Sequence, residues 1–138
     1  MEDHKPAGIS INQLANCLQS EILNSSDKSE EVIENLMVGA MCVDPAPLYF
    51  GLRSNKAVIT RGDRADIQLG ALETSIKCLI LTGGSKPLPI VLGRAEEKAV
   101  PILLVEKDTP SILAELEQVL GQLAPEVTLA QDETSEAD

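Results

Sequence analysis

Two aromatic side chains, Tyr49 and Phe50, are all that the 138 residues contain, and tryptophan is absent. The core must therefore come from Leu, Ile, Val and Ala, the aliphatic bias of parallel strands buried on both faces and of the helices that cover them. Positive charge is also scarce: 11 Lys and Arg stand against 22 Asp and Glu, a net charge of −11. Binding to a nucleic-acid backbone needs a basic footprint, and single strands also need stacking platforms. Nucleic acid is therefore set aside as a partner. Histidine is limited to His4, and Cys17, Cys42 and Cys78 lie far apart without CxxC or Cys/His spacing. That excludes the usual structural-zinc and disulfide patterns and leaves buried thiols in a reducing compartment. With no signal-peptide pattern and no membrane-length apolar run, a cytoplasmic protein without a membrane partner is expected.

A strand–helix rhythm fills the rest. Residues 1–8 read as a flexible N-terminal tail. Ser10 is positioned to cap a helix carrying Ile11, Leu14 and Leu18 on one face, and "EIL" follows as a short strand. Strands are expected in "VIENLMVGAM" (32–41), "KAVIT" (56–60), "KCLILTGG" (77–84) and "VPILLVE" (100–106). Between them lie a short Pro-containing helix near Asp44 and Pro45, then helices over 63–76 and 86–99. A last helix spans 107–123, with Asp108 or Thr109 as its cap and Ile112, Leu116, Val119 and Leu123 as its stripe. Alternation with short loops predicts one α/β domain over 9–124, a two- or three-layer sandwich on a mainly parallel sheet of about four to five strands. Residues 125–138, ending in "QDETSEAD", read as an acidic, solvated C-terminal tail.

Right-handed crossovers bring every strand-to-helix loop to one edge of such a sheet, where open α/β folds bind ligands. Two of those loops carry specialised chemistry: Arg61-Gly62-Asp63-Arg64 and Thr82-Gly83-Gly84-Ser85-Lys86. Gly62 permits a sharp exit from its strand, and Asp63 is placed to cap the next helix. Asp66 favours that helix's first turn, while Arg61 and Arg64 offer forked donors to carboxylate or phosphate. Gly83 and Gly84 would let backbone N–H groups reach a ligand or a second chain, and the helix after Lys86 adds an anion-favouring N-terminus. A purely structural use, with Asp63 as a salt-bridged cap and the glycines as a tight turn, remains the alternative. These nine residues, 61–64 and 82–86, form the candidate ligand site. No metal ligands and no catalytic residues are assigned.

Asp-Arg after one strand and Thr-Gly-Gly after the next, here Asp63, Arg64, Thr82, Gly83 and Gly84, resemble the signature of the DRTGG domain family. The context "VITRGDRADIQLGALETS" and "CLILTGG" extends the resemblance over about residues 30–124. The segment is most similar to the version found at the C-terminal side of phosphotransacetylase-like proteins with a P-loop domain. The resemblance implies an α/β domain similar to the N-terminal domain of HPr kinase/phosphorylase, with a tendency to dimerise. It also implies the company of other modules, such as the CBS pairs of regulated pyrophosphatases, whose assembly senses adenine nucleotides. No such module is visible in these residues, so action in trans on a separate partner protein is expected.

Three functions follow. Catalysis has little to work with: there is no GxSxG elbow, and "GGSKPLP" lacks the GK[ST] order of a phosphate-binding loop. A sensor would bind an adenine nucleotide or another phosphate-bearing anion at the 61–64/82–86 edge, without a permanent cofactor. A homodimeric interaction module would use the second apolar side of the 63–76 helix, where Ala65, Ile67, Leu69, Ala71, Leu72 and Ile76 exceed one stripe. The non-catalytic regulatory or interaction domain is the leading expectation, with the sensor as its alternative.

Overall fold

Leu36, Ala57, Val58, Ile59, Cys78, Leu79, Ile80 and Leu103 are all buried at the centre of the sheet that the alternation predicts. The computed structural model describes residues 8–28, 30–38, 56–123 and 128–131. Within them run β1 (Ile9–Ser10), α1 (Ile11–Leu18), β2 (Glu21–Ile22), β3 (Val32–Ile33) and β4 (Asn35–Val38). They are followed by β5 (Lys56–Arg61), α2 (Ala65–Leu72), β6 (Ile76–Thr82), α3 (Pro89–Glu97), β7 (Ile102–Leu104), α4 (Thr109–Leu123) and β8 (Thr128–Gln131).

Six described strands form the main sheet in the order β2-β7-β6-β5-β4-β8. Only β2 runs antiparallel to its neighbour, which makes the sheet mainly parallel as expected. The sheet has one strand more than the expected four to five, and its two edge strands lie outside the main alternation. The short β2 corresponds to "EIL", while β8 pairs with β4 from Asn35↔Thr128 to Val38↔Gln131. Regular structure thus continues past residue 124, where the domain was expected to end. "TLAQ", with Leu129 and Ala130 between polar ends, is too short to stand out as a strand by itself, and a parallel neighbour with open backbone groups recruits it.

Side-chain alternation sorts the sheet into two cores. Leu36, Val38, Ala57, Ile59, Cys78, Ile80 and Leu103 face α1 and α4. Met37, Val58, Leu79, Leu81, Ile102 and Leu104 face α2 and α3. The result is a three-layer sandwich. Strands β5, β6 and β7 advance along the sheet with α2 and α3 on one face. The return from β7 to β8 reverses direction, and a crossover of the same hand must then use the other face, where α4 lies.

Local rules set most helix ends. Ser10 caps α1 as expected: its Oγ accepts the Gln13 N–H at 3.1 Å, and Gln13 Oε1 accepts the Ser10 N–H at 3.2 Å. Asp108 caps α4 by accepting the Ser111 N–H at 3.0 Å. The buried stripe of α4 is Ile112, Leu116 and Leu120, with Val119 only half-buried. Steps of four residues follow the covering face better there than the expected step to Val119. The 63–76 helix is shorter than expected, because Thr74 Oγ1 closes its last turn on the Ala71 carbonyl and Ile76 starts β6. The break in "VIENLMV" is new: Glu34 separates β3, which pairs with β1, from β4. The 1–8 tail apart from Gly8, the Asp44–Pro45 helix, Cys42, Tyr49, Phe50 and the end of the acidic tail lie outside the described residues.

Burial predicts the mechanical hierarchy. Ile59→Ala in β5 should cost about 2–5 kcal/mol through lost transfer and a residual cavity. Ser10→Ala should cost about 1 kcal/mol through one lost cap. Equilibrium denaturant unfolding of the two variants measures the difference.

Candidate functional site

Parallel pairing of β5 with β6, in register from Ala57↔Cys78 to Arg61↔Thr82, delivers the two specialised loops to one edge together. They touch. The Gly62 N–H donates to the Thr82 carbonyl at 3.0 Å. A Cβ added to Gly62 would lie 2.1 Å from the Ser85 carbonyl oxygen, so only glycine allows this approach.

A third loop, unanticipated as part of the site, completes the rim. Gly83 and Gly84 sit at φ +87° and +75°, the left-handed region. Their N–H groups donate to the Lys107 and Val105 carbonyls at 2.8 and 2.9 Å. Thr82 Oγ1 lies 2.7 Å from Thr109 Oγ1 at the start of α4. The glycine N–H groups, expected to be available to a ligand, are therefore engaged by neighbouring backbone. The signal for the third loop was present, since a strand-to-helix turn at Asp108-Thr109-Pro110 must emerge on this same edge.

The charges also pair differently from expectation. Asp63 does not cap α2: its N-cap position is Arg64, without a side-chain capping bond. Arg61 instead holds both Asp63 oxygens, Nε to Oδ1 at 3.0 Å and Nη2 to Oδ2 at 2.7 Å. A forked guanidinium two residues away outcompetes the helix N–H groups for that carboxylate. Arg64, expected to face the glycine turn, forks in the same way onto Asp66 at 3.2 and 3.1 Å. The helix expected after Lys86 begins only at Pro89, with Leu88 as its cap.

Between the loops is a cleft of about 390 Å³ lined by Arg61, Asp63, Thr82, Gly83, Ser85, Asp108, Thr109 and Pro110. Five of the nine expected residues line it. Gly62 and Gly84 act instead in loop contact and turn geometry, Arg64 pairs along α2, and Lys86 is exposed outside the lining. Arg61 stands against Asp63 and Asp108 there, which leaves the cleft one net negative charge. Hydrogen bonds from Arg61 to Asp63, and from Ser111 to Asp108, hold both carboxyls below the usual aspartate range.

Beneath the opposite side of the rim, Gln68 is fully buried rather than one of α2's outward polar residues. Its Nε2 donates to the Arg61 carbonyl at 2.8 Å. Gln68 Oε1 and Thr60 Oγ1 are buried without a hydrogen-bond partner among the described residues. The second apolar side of α2 is largely consumed as well: Ile67, Ala71 and Leu72 are buried, and Ala65 and Leu69 pack against the same core. The exposed large apolar side chains among the described residues are Leu88 and Ile90, at 55% and 58%, flanking Pro89. No group of His, Cys, Asp and Glu able to hold a metal occurs among the described residues, and no described helix is long and apolar enough to cross a membrane.

Comparison with known proteins agrees with the fold. The DRTGG domain model matches residues 13–119. Over 124 residues the chain is 28% identical to the phosphate acetyltransferase of Synechocystis sp. (strain ATCC 27184 / PCC 6803 / Kazusa), covering 83% of this chain and 18% of that protein. A similar fold occurs in the CBS and DRTGG domains of the regulatory region of Clostridium perfringens pyrophosphatase, solved with its activator diadenosine tetraphosphate. That match has a TM-score of 0.63 at 20% identity and covers 84% of this chain and 52% of that one. The chain thus spans under a fifth of the first relative and about half of the second.

The two glycine positions should fail for different reasons. Gly62→Ala is crowded by backbone and should cost about 1–3 kcal/mol while disturbing the Ser85 loop. Gly83→Ala meets open space and should cost about 1–2 kcal/mol from its left-handed backbone alone. Denaturant melts give the costs, and amide shifts at Ser85 separate the mechanisms.

Arg61→Ala should raise the Asp63 carboxyl toward its ordinary value, read by carbon-detected NMR titration. In the wild type the folded carboxyl titrates below the unfolded one. The pair's contribution is therefore present above the ordinary aspartate pKa and fades as pH falls through the depressed value. That acid-side slope should disappear from Asp63 in the variant.

Proposed function

From the premise that the chain belongs to the DRTGG domain family, we propose that it is a non-catalytic regulatory and protein-interaction domain. In this reading it acts in the cytoplasm as a homodimer, in trans on a partner protein. The observation that carries the reading is the internal use of the motif. Asp63 is held by Arg61, the Gly83 and Gly84 N–H groups by the β7–α4 loop, and the Thr82 hydroxyl by Thr109. These residues build a stiff rim and leave no poised base or nucleophile there. Both rim carboxyls are held ionised, and burial pushes the Cys78 thiol well above its ordinary range. Leu88 and Ile90, exposed beside the Ser85 loop, supply the apolar contact that such a module would use.

A second reading has a specific observation behind it. The 390 Å³ cleft offers Arg61 and the Ser85, Thr82 and Thr109 hydroxyls, and a protein of similar fold was solved with diadenosine tetraphosphate. An adenine nucleotide or another phosphate-bearing anion at the 61–64/82–86 edge would have to draw Arg61 away from Asp63.

Light scattering at micromolar concentration should report a dimer, and Ile90→Asp should shift it toward monomer; a wild-type monomer would sink the interface. Thermal-shift assays with ATP, AMP, diadenosine tetraphosphate and acetyl phosphate test the sensor. A ligand at ten times its Kd adds about 1.4 kcal/mol, several degrees for a domain of this size. A rise abolished by Arg61→Ala supports nucleotide sensing, while no shift with any of the four removes it.

A further inference from the structure

At the opposite edge of the sheet, where the parallel strands begin, a second cleft of about 210 Å³ is lined by Lys28, Glu31, Ile76, Lys77, Lys98 and Ala99. Its lysines come from three separate places: the end of the short 3₁₀ turn Ser26–Lys28, the start of β6, and the residue following α3. Three lysines face one glutamate, so the lining carries two net positive charges in a chain whose total is −11. The motif-edge cleft has the opposite sign.

Lys77 Nζ lies 2.7 Å from Glu31 Oε1, and Lys28 acts on the same carboxylate from further away without a contact ion pair. One glutamate thus faces two of the three lysines, and Lys98 makes no ion pair among the described residues. Three carbonyls near the end of α3, which would repel an anion, are occupied: Arg94, Ala95 and Glu96 accept the N–H groups of Lys98, Val100 and Ala99. The acidic groups nearest in sequence are the exposed Asp27, Glu30 and Glu96, and Glu97, which pairs with Arg94 at 3.6 Å. None of these four lines the cleft.

We infer that the Lys28–Lys77–Lys98 cleft binds a small phosphate-bearing anion, at a site separate from the motif edge. Ammonium groups act as compact, hydrated point charges that suit the spread charge of a phosphoryl group. The lining holds no guanidinium, so recognition rests on ammonium charge rather than on a planar fork. The volume suits a phosphate or pyrophosphate group rather than a whole dinucleotide. Glu31 holds Lys77 in place and also competes with the anion, so its removal should tighten binding.

Inorganic pyrophosphate titrated into the full chain at constant low ionic strength, followed by amide NMR, tests the assignment. Saturable shifts are expected at Lys28, Lys77, Lys98 and Ala99. Affinity should fall about fivefold for each lysine removed in Lys28→Gln and Lys98→Gln, and should rise in Glu31→Gln. Citrate, a tricarboxylate of comparable charge near neutral pH, should bind more weakly. The inference is overturned by an absence of saturable shifts, unchanged affinity in the double lysine variant, or citrate binding equally well. Shifts centred on Arg61, Thr82 and Ser85 would overturn it too, while supporting a ligand at the motif edge.

Discussion

The contact between Gly62 and the Ser85 backbone is the constraint on which the motif edge depends. No side chain fits there, so the β5 loop presses directly onto the β6 loop. The β6 loop in turn is bonded to the β7–α4 loop through Gly83, Gly84 and Thr82. Three strand ends, each free to splay in an isolated chain, thereby become one surface. The buried Gln68 supports it from below by donating to the Arg61 carbonyl. Two buried polar atoms near this support, Thr60 Oγ1 and Gln68 Oε1, have no partner among the described residues.

Electrostatics divides the molecule more sharply than its net charge suggests. At the motif edge, opposite charges two residues apart cancel in pairs, Arg61 with Asp63 and Arg64 with Asp66. Such exposed pairs contribute little to stability, but they set what the edge can attract. The other edge gathers lysines from distant points of the chain around a single glutamate. Two clefts of opposite sign thus lie at opposite ends of the same parallel strands. The regulatory reading and the anion site occupy different ends, and each stands on its own chemistry.

Much of the fold was legible because period and punctuation are local properties. "KAVIT" and "KCLIL" are short apolar runs, Ser10 and Asp108 are caps, and Pro89 stands at the first helical position. The meeting of the two specialised loops followed from parallel order and a single crossover hand. The fate of each loop's polar groups did not follow. Asp63 had helix N–H groups and two arginines within reach, and the choice of Arg61 rests on side-chain geometry that spacing does not encode. The recruitment of Thr128–Gln131 was not legible because four residues are too short for a period, and the open backbone of β4 decides their pairing.

The amino-acid sequence by itself determined the α/β alternation, the aliphatic core, the family and the edge on which the motif lies. These depend on periodicity and on residue types at short spacing. Only the tertiary structure decided that the motif's donors are used internally, that Gln68 is buried, and that Lys28, Lys77 and Lys98 share one cleft. Hydrogen-bond partners and charge clusters are set by distances between segments far apart in the chain, and those distances exist only after the sheet has closed.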